Sequence, residues 1–387
     1  MAFSVLIDAF RLVTAPRTSH AIYISDLAKS LSTLDEIKRL YLLMPRRSVN
    51  DPSYSEVLRL DKVDGVWPTE ECYPDRRFRL EIYWVQHVIP RLVQTITDPV
   101  DWYIAPYHHP PILLPKKIRV ATVIHDVCGL KSSAGFLKTK IGFYEHLIMF
   151  TLTAVRSDVI IPISDYTKRE FTTSFPFLRS RVSDVVYNCV RCETVDGALV
   201  EDTLKKYGLS RGNYFLAFGL AGVRKGFDLV VRAYSTYKAH GGQCKLALIV
   251  PADYRGIAGG ELIANGISDV VMVSDIDFGE RDALYKGAVA LLFPSRCEGF
   301  GYPVVEAMRQ GCPPIARHDG PAAEILGSDV PLLKSLDAEE IVNYMIKYEH
   351  FDCVSRLKLS ERLIARSLLF EGDNFGLHFL GAMKGSR

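Results

Sequence analysis

The sequence predicts an α/β protein made of two Rossmann-like domains, each built on a parallel sheet. Three observations carry this. The 387 residues exceed one ordinary domain and suit two of about 150–200 each. Short β-branched and aromatic runs alternate with longer helical stretches along the chain, the signature of strands joined by helical crossovers. The alternation breaks between 188 and 213, in a stretch of turn residues, charges and one short helix, and then restarts.

In the first half, strand-like runs fall at 3–9, 39–44, 102–105, 120–125, 158–163 and 182–187. Each is short and apolar, as strands covered on both faces are. Helices are expected at 21–32, 76–97, 136–155 and 165–172, the last with Ser164 as its N-cap. The second half repeats the plan with strands at 214–219, 245–250, 270–273, 289–293 and 314–316. Helices at 227–240, 278–287, 303–310 and 321–326 separate them. The tail from 338 reads as helical. The boundary falls near 190–200, dividing a domain of 1–192 from one of 193–387.

Composition removes several function classes. With 48% hydrophobic and 24% charged residues the chain is an ordinary globular protein. Its 47 basic and 45 acidic residues leave a net charge of +2, so no electrostatic footprint for nucleic acid is present. No apolar run reaches the roughly 18–20 residues that cross a bilayer, and residues 1–4 lead into a strand without the charged and apolar regions of a signal peptide. Cys189 and Cys192 have C-x-x-C spacing without the second pair that a zinc site needs. These features predict a cytoplasmic location.

The segment Phe293-Pro-Ser-Arg-Cys-Glu-Gly-Phe-Gly-Tyr-Pro-Val-Val-Glu-Ala-Met308 carries the most chemistry. A buried strand ends at Phe293, and a loop with two glycines enters a helix with Pro303 in its first turn, where proline's missing N–H costs nothing. Ligands of open α/β sheets sit at such strand ends, and the N–H groups of a helix start attract anions. Glu298 and Glu306 flank this turn. Carboxylates repel phosphate, so their natural partners are sugar and ribose hydroxyls. Complementing the helix dipole explains Glu306 alone; it explains neither Glu298 nor Gly299 and Gly301.

This string resembles the signature of the family 4 retaining glycosyltransferases, which have the GT-B fold: two Rossmann-like domains whose sheets face a central cleft. Other segments are similar in the family's order: Val123-Ile-His-Asp126, Ile161-Pro-Ile-Ser-Asp-Tyr-Thr-Lys168, Val186-Tyr-Asn188 and Phe218-Gly-Leu-Ala-Gly-Val-Arg-Lys-Gly226. The resemblance runs clearly from about 120 to 330. It implies that Arg224 and Lys225, following Gly219, grip the pyrophosphate of a nucleotide sugar. Glu306 then holds the ribose hydroxyls, Glu298 with the amides of Phe300 and Gly301 orients the donor sugar, and His125 contacts that sugar. Asp126 is a weaker candidate, since aspartate also caps the loop that follows.

Bland readings stand beside these. An Arg-Lys pair before a helix is commonly a solvated surface, and a histidine ending an apolar strand is commonly structural. Independently of family, cations fixed where a leaving diphosphate gains charge stabilise the transition state more than the ground state. In the family's usual picture of retention the acceptor attacks the face that the nucleotide leaves, and the leaving phosphate takes the proton. The catalytic set is then Glu298, Lys225, Arg224 and His125, and the donor-binding set Glu306, Gly299, Phe300, Gly301, Gly219 and Asp126.

The resemblance further implies an acceptor-binding N-terminal domain, with the C-terminal helix packing back on it, and a nucleotide-sugar-binding C-terminal domain. The branch looks mannosyltransferase-like, so the first-choice reaction is hexose transfer from GDP-mannose to a glycan or lipid-linked saccharide, as in polysaccharide or lipopolysaccharide synthesis. A UDP- or dTDP-hexose donor and a non-catalytic nucleotide-sugar-binding protein are the alternatives. An NAD-dependent oxidoreductase is disfavoured, because neither 3–9 nor 214–219 is followed by G-x-G-x-x-G. No metal and no cofactor beyond the nucleotide-sugar substrate is expected: Asp275-Ile-Asp277 has the letters of a D-x-D metal site but reads as a helix cap.

Three stretches complete the reading. The segment Thr14-Ala-Pro-Arg-Thr-Ser-His20 lacks the glycines that many relatives carry after the first strand, so phosphate contact and plain capping both stay open. Residues 78–93, with Tyr83, Trp84 and His87, read as a helix packed on the sheet or as a peripheral membrane contact. His108 and His109, followed by two prolines, read as a loop.

Overall fold

The computed structural model describes residues 2–16, 18–45, 52–69, 77–107, 109–130, 140–190, 195–219, 223–328 and 330–385. Arg17, Arg76, His108, residues 136–139, Cys192 and residues 220–222, all singled out above, lie outside them. The chain divides into two compact units. Unit 1 contains Met1–Leu130, Thr139–Cys189 and Glu371–Arg387; unit 2 contains Val190–Phe370.

Among the described residues unit 1 carries β1 (Phe3–Asp8), β2 (Ile37–Leu43), β3 (Val63–Val66), β4 (Trp102–Ala105), β5 (Arg119–Ile124) and β6 (Val159–Pro162). They form one parallel sheet in the order β3-β2-β1-β4-β5-β6. Its helices are α1 (Phe10–Thr14), α2 (Ser19–Ser32), α3 (Pro52–Leu58), α4 (Arg77–Tyr83), α5 (Ile89–Thr95), α6 (Lys140–Arg156) and α7 (Asp165–Ser174). Ser164 caps α7 by accepting the Thr167 N–H at 3.0 Å, as its residue type predicts. The final helix, Phe375–Gly385, lies against α2: the Phe375 ring meets Tyr23 edge-on at 5.6 Å. Gly376 is needed there, because a Cβ would stand 2.7 Å from the Ser30 carbonyl oxygen.

The sequence reading needs two corrections here. Residues 182–187 form no strand. After a 3₁₀ turn at Pro176–Arg181 the chain runs beside β6 with one bridge, Val182 to Ile160, and isolated bonds from the Ser183 and Val186 amides. The sixth strand is β3 at the opposite edge. It was illegible because an edge strand half open to solvent tolerates Asp64 and Gly65 and shows no apolar run. The expected helix at 76–97 is also interrupted by a π-helical turn at Trp84–Val88, just before Pro90 in the first turn of α5. Proline cannot donate to the preceding turn, and the wider turn absorbs the mismatch. Trp84, Val85, Val88, Ile89, Leu92 and Val93 are buried in the unit 1 core, so this stretch packs on the sheet.

Unit 2 contains β7 (Tyr214–Phe218), β8 (Lys245–Ile249), β9 (Val270–Val273), β10 (Ala290–Phe293) and β11 (Pro314–Ala316). These are parallel in the order β11-β10-β7-β8-β9. Its helices are α8 (Gly197–Lys206), α9 (Phe227–Ala239), α10 (Arg255–Ala264), α11 (Phe278–Gly287), α12 (Tyr302–Arg309), α13 (Pro321–Leu326), α14 (Ala338–Glu349) and α15 (Cys353–Ser367). Asp277 accepts the Glu280 N–H at 2.8 Å and so caps α11. Among the described residues no helix is long and apolar enough to cross a membrane.

Candidate active site

In unit 2 the chain leaves β7 toward β8 and β10 toward β11, so the sheet's switch point lies between the paired strands β7 and β10. Crevices for ligands open there, outside the carboxyl ends of the strands. The β10 loop delivers Glu298 and the β7 loop delivers Arg224 and Lys225.

Two glycines let the β7 loop take its path. Gly219 packs on the end of β8, where a Cβ would stand 2.7 Å from Val250 Cγ2. Gly226 caps α9 at φ +71°, and a Cβ would fall 2.2 Å from the Pro294 carbonyl oxygen. That contact seats one loop on the other. The Arg224 carbonyl then accepts the Arg296 N–H at 2.8 Å, with the Ser295 hydroxyl oxygen 3.0 Å away. Arg296 pairs through both guanidinium nitrogens with Asp228 of α9, at 2.7 Å each. The guanidinium holds Asp228 below the usual carboxylate range despite its partial burial.

On this frame three of the expected site residues converge. Lys225 Nζ lies 2.6 Å from Glu298 Oε1, which also accepts the Ser295 hydroxyl at 2.6 Å. Arg224 Nη1 is 3.8 Å from Glu298 Oε2 and donates to the Cys297 carbonyl at 3.3 Å. Among the described residues, two cations thus face the Glu298 carboxylate. The Phe300 side chain is buried against Tyr302 and Phe370, which leaves its backbone as the part that can meet a ligand. Gly301 caps α12 at φ +102°, a conformation that side chains rarely adopt. Gly299 is buried.

Glu306 belongs to a second polar group. It is buried, and its oxygens accept the Tyr285 hydroxyl and face Arg281 Nη2, each at 3.0 Å. Burial and the carboxylate together drive the Tyr285 phenol well above its ordinary pKa. The sequence reading did not single out Arg281, Tyr285 or Ser295. Only Ser295 carried a signal, its place inside the quoted string. Arg281 and Tyr285 acquire meaning through the face that α11 turns toward α12, which a single sequence does not print.

His125 and Asp126 sit in unit 1, just beyond β5. His125 is buried, its Nε2 2.9 Å from the Pro106 carbonyl oxygen, with His20 and Tyr23 edge-on to its ring at 4.7 and 4.9 Å. Asp126 accepts the Cys128 N–H at 2.9 Å and caps the next turn. Thr18 accepts the Ala21 N–H at 3.4 Å, so the glycine-poor segment before α2 contains an ordinary N-cap.

Two parallel-sheet units, with the motif loops at a sheet's switch point, form the fold of the GT-B glycosyltransferases. Solved structures agree on the fold. WaaG, a glycosyltransferase involved in lipopolysaccharide biosynthesis, superposes with a TM-score of 0.73 at 14% identity, covering 99% of this chain and 100% of that one. Anabaena Alr3699/HepE in complex with UDP-glucose gives the same four values. Residues 201–367 match the family Glycosyl transferases group 1. The chain's relatives include O-antigen chain mannosyltransferase B of Escherichia coli, 22% identical over 98% of this chain and 99% of the relative. Serotype-specific mannosyltransferase WbdA of Escherichia coli is 24% identical over 66% of this chain and 32% of its own length.

Proposed function

We propose that the enzyme transfers mannose, with retention, from GDP-mannose to a glycan or lipid-linked saccharide acceptor. The observation that carries this reading is the Arg224–Lys225–Glu298 cluster at the unit 2 switch point. Its two cations match a leaving nucleoside diphosphate, and its carboxylate, already taking donors from Lys225 and Ser295, suits a sugar hydroxyl. Glu306 is assigned to the ribose hydroxyls, Gly219, Gly299, Phe300 and Gly301 to backbone approach to the donor, and His125 and Asp126 to the donor sugar. The choice of mannose rests on the mannosyltransferase relatives. With Arg224 and Lys225 neutralising the leaving group, no metal ion is assigned to the step. Unit 1 is assigned to the acceptor, and a lipid-linked acceptor brings it into peripheral contact with the inner face of a membrane.

The test offers the purified protein GDP-mannose, UDP-glucose and a dTDP-hexose, with and without EDTA, and follows nucleotide release and the anomeric configuration of the product. GDP-mannose consumption that survives EDTA, giving an α-linked product, is expected. Consumption of a UDP- or dTDP-hexose alone transfers the assignment to that donor. Tight binding of a nucleotide sugar without turnover, with acceptors present, supports the non-catalytic alternative and overturns the proposal.

A further inference from the structure

Unit 1 has a switch point of its own. The chain moves outward from β1 through β2 to β3, and outward the other way from β4 through β5 to β6. The crevice therefore opens beyond the carboxyl ends of β1 and β4. The residues gathered there form a polar cluster with no part in the donor chemistry. Asp8 ends β1, Arg11 lies in α1, Tyr107 and His109 follow β4, and Glu81 comes from α4.

Their contacts tie them together. Asp8 Oδ1 accepts the Phe10 N–H at 3.0 Å and the Trp84 indole N–H at 2.9 Å. Arg11 reaches both oxygens of Glu81, its Nε at 3.2 Å from Oε1 and its Nη2 against Oε2. The same guanidinium lies over the Tyr107 ring at 5.9 Å, and Tyr107 stacks on His109 at 6.4 Å. The Arg11 side chain is 38% exposed, which makes the ion pair the solvent-open edge. His109 is 6% exposed, and among the described residues neither of its ring nitrogens meets a hydrogen-bond partner.

That last fact asks for a ligand. A buried polar group left unpaired is destabilising, and a neutral imidazole presents one donor and one acceptor at once. The charges say what kind. Glu81 neutralises Arg11, burial pushes the Asp8 carboxyl up to about 7, and burial lowers the His109 imidazole. Among the described residues of the cluster no further cation stands ready for a phosphate. A hydroxyl both donates and accepts, neighbouring hydroxyls suit a guanidinium–carboxylate fork, and an aromatic face covers the C–H side of a sugar ring.

We infer that Arg11, Glu81, Tyr107 and His109 form a binding site for a neutral saccharide, the acceptor end of the reaction. The inference rests on the transferase reading for the word acceptor; saccharide binding itself does not depend on it. The test titrates the full-length protein with α-1,3-mannobiose by saturation-transfer NMR, with inorganic phosphate as the anionic control. It compares wild type with Glu81→Gln and with His109→Phe, which keeps ring volume and removes both nitrogens; thermal melts establish folding.

Saturable mannobiose binding by wild type, weakened about tenfold or more in the folded variants, is expected. GDP-mannose hydrolysis without acceptor should stay within about twofold of wild type, while transfer to mannobiose falls. Undiminished mannobiose binding in both variants, or saturable binding of phosphate without mannobiose, overturns the site. Loss of acceptor-free hydrolysis together with transfer overturns the acceptor assignment. Variant-sensitive mannobiose binding by a protein that consumes no nucleotide sugar supports the site and overturns the transferase reading alone.

Discussion

Replacing Lys225 by alanine separates two roles of one ammonium group. Its Nζ stands 2.6 Å from Glu298 Oε1, and the two side chains are 22% and 13% exposed. Such a pair lies between an exposed ion pair, at about 0–1 kcal/mol, and a buried one, whose breakage costs about 3–5 kcal/mol. After the substitution Glu298 keeps the Ser295 hydroxyl at 2.6 Å and Arg224 at 3.8 Å, so a loss near the lower bound is expected, about 1–2 kcal/mol. In a chain of this size that lowers Tm by only a few degrees. Catalysis should suffer more: losing a preorganised charge at a developing anion costs roughly 10²–10³ in rate. The assay pairs thermal melts with GDP-mannose turnover in Lys225→Ala and in Lys225→Ala/Glu298→Gln. The double variant should recover Tm, because no unpaired carboxylate remains, and should not recover turnover. Wild-type turnover in the double variant would refute the reasoning, since the lysine would then serve only to neutralise Glu298.

Gly226→Ala should lose about 2 kcal/mol or more, from the left-handed φ and the approach of its Cβ to Pro294, and donor turnover should fall with it; an unchanged denaturation midpoint would show that the loops move apart at no cost. Glu306→Gln should destabilise unit 2 by about 1–3 kcal/mol, as the half-buried Arg281 guanidinium loses the charge of a buried carboxylate it faces at 3.0 Å, and Arg281→Met in the same chain should restore part of it; denaturant titrations of both decide. Asp8 has its folded pKa raised to about 7 from 3.8, so between these values the folded state holds a proton that the unfolded chain has released. Stability should therefore fall as pH rises from about 4 to about 7, by at most roughly 4 kcal/mol. Asp8→Asn should flatten that slope in urea titrations at pH 5 and 8, and parallel slopes would remove the burial argument.

What could be read from sequence follows physical lines. Strands that are unbroken apolar runs have sharp ends in the sequence, and 102–105, 270–273 and 314–316 coincide with β4, β9 and β11, the last two at the edges of their sheet. The edge strand β3 carries Asp64 and Gly65 and shows no such run, while 182–187 has the composition of a strand without a neighbour to complete a ladder. Glu298 drew notice through the two glycines beside it, whereas Arg224 and Lys225 read equally as a solvated surface by residue type and were singled out by the resemblance of their segment. Arg281 and Tyr285 were not, since their role depends on how α11 meets α12. His109 was read as loop and lies in one; its burial and its nearness to Arg11 and Glu81 depend on residues distant in sequence.

The two switch points differ in charge. Beyond β7 and β10, Arg224 and Lys225 both face the carboxylate of Glu298, an arrangement that suits an anionic ligand. Beyond β1 and β4, Arg11 faces Glu81 alone, the aspartate beside them is held partly protonated by burial, and the imidazole is neutral. Exchanging the ligands would be unfavourable at both places. A diphosphate beyond β1 would meet Glu81 and a partly ionised Asp8 without a further cation among the described residues of the cluster. A neutral sugar beyond β7 would leave the ammonium and guanidinium groups without the negative charge that their arrangement favours. On the proposed reading, one sheet topology used twice would sort an anionic ligand from a neutral one through the number of carboxylates set against its cations.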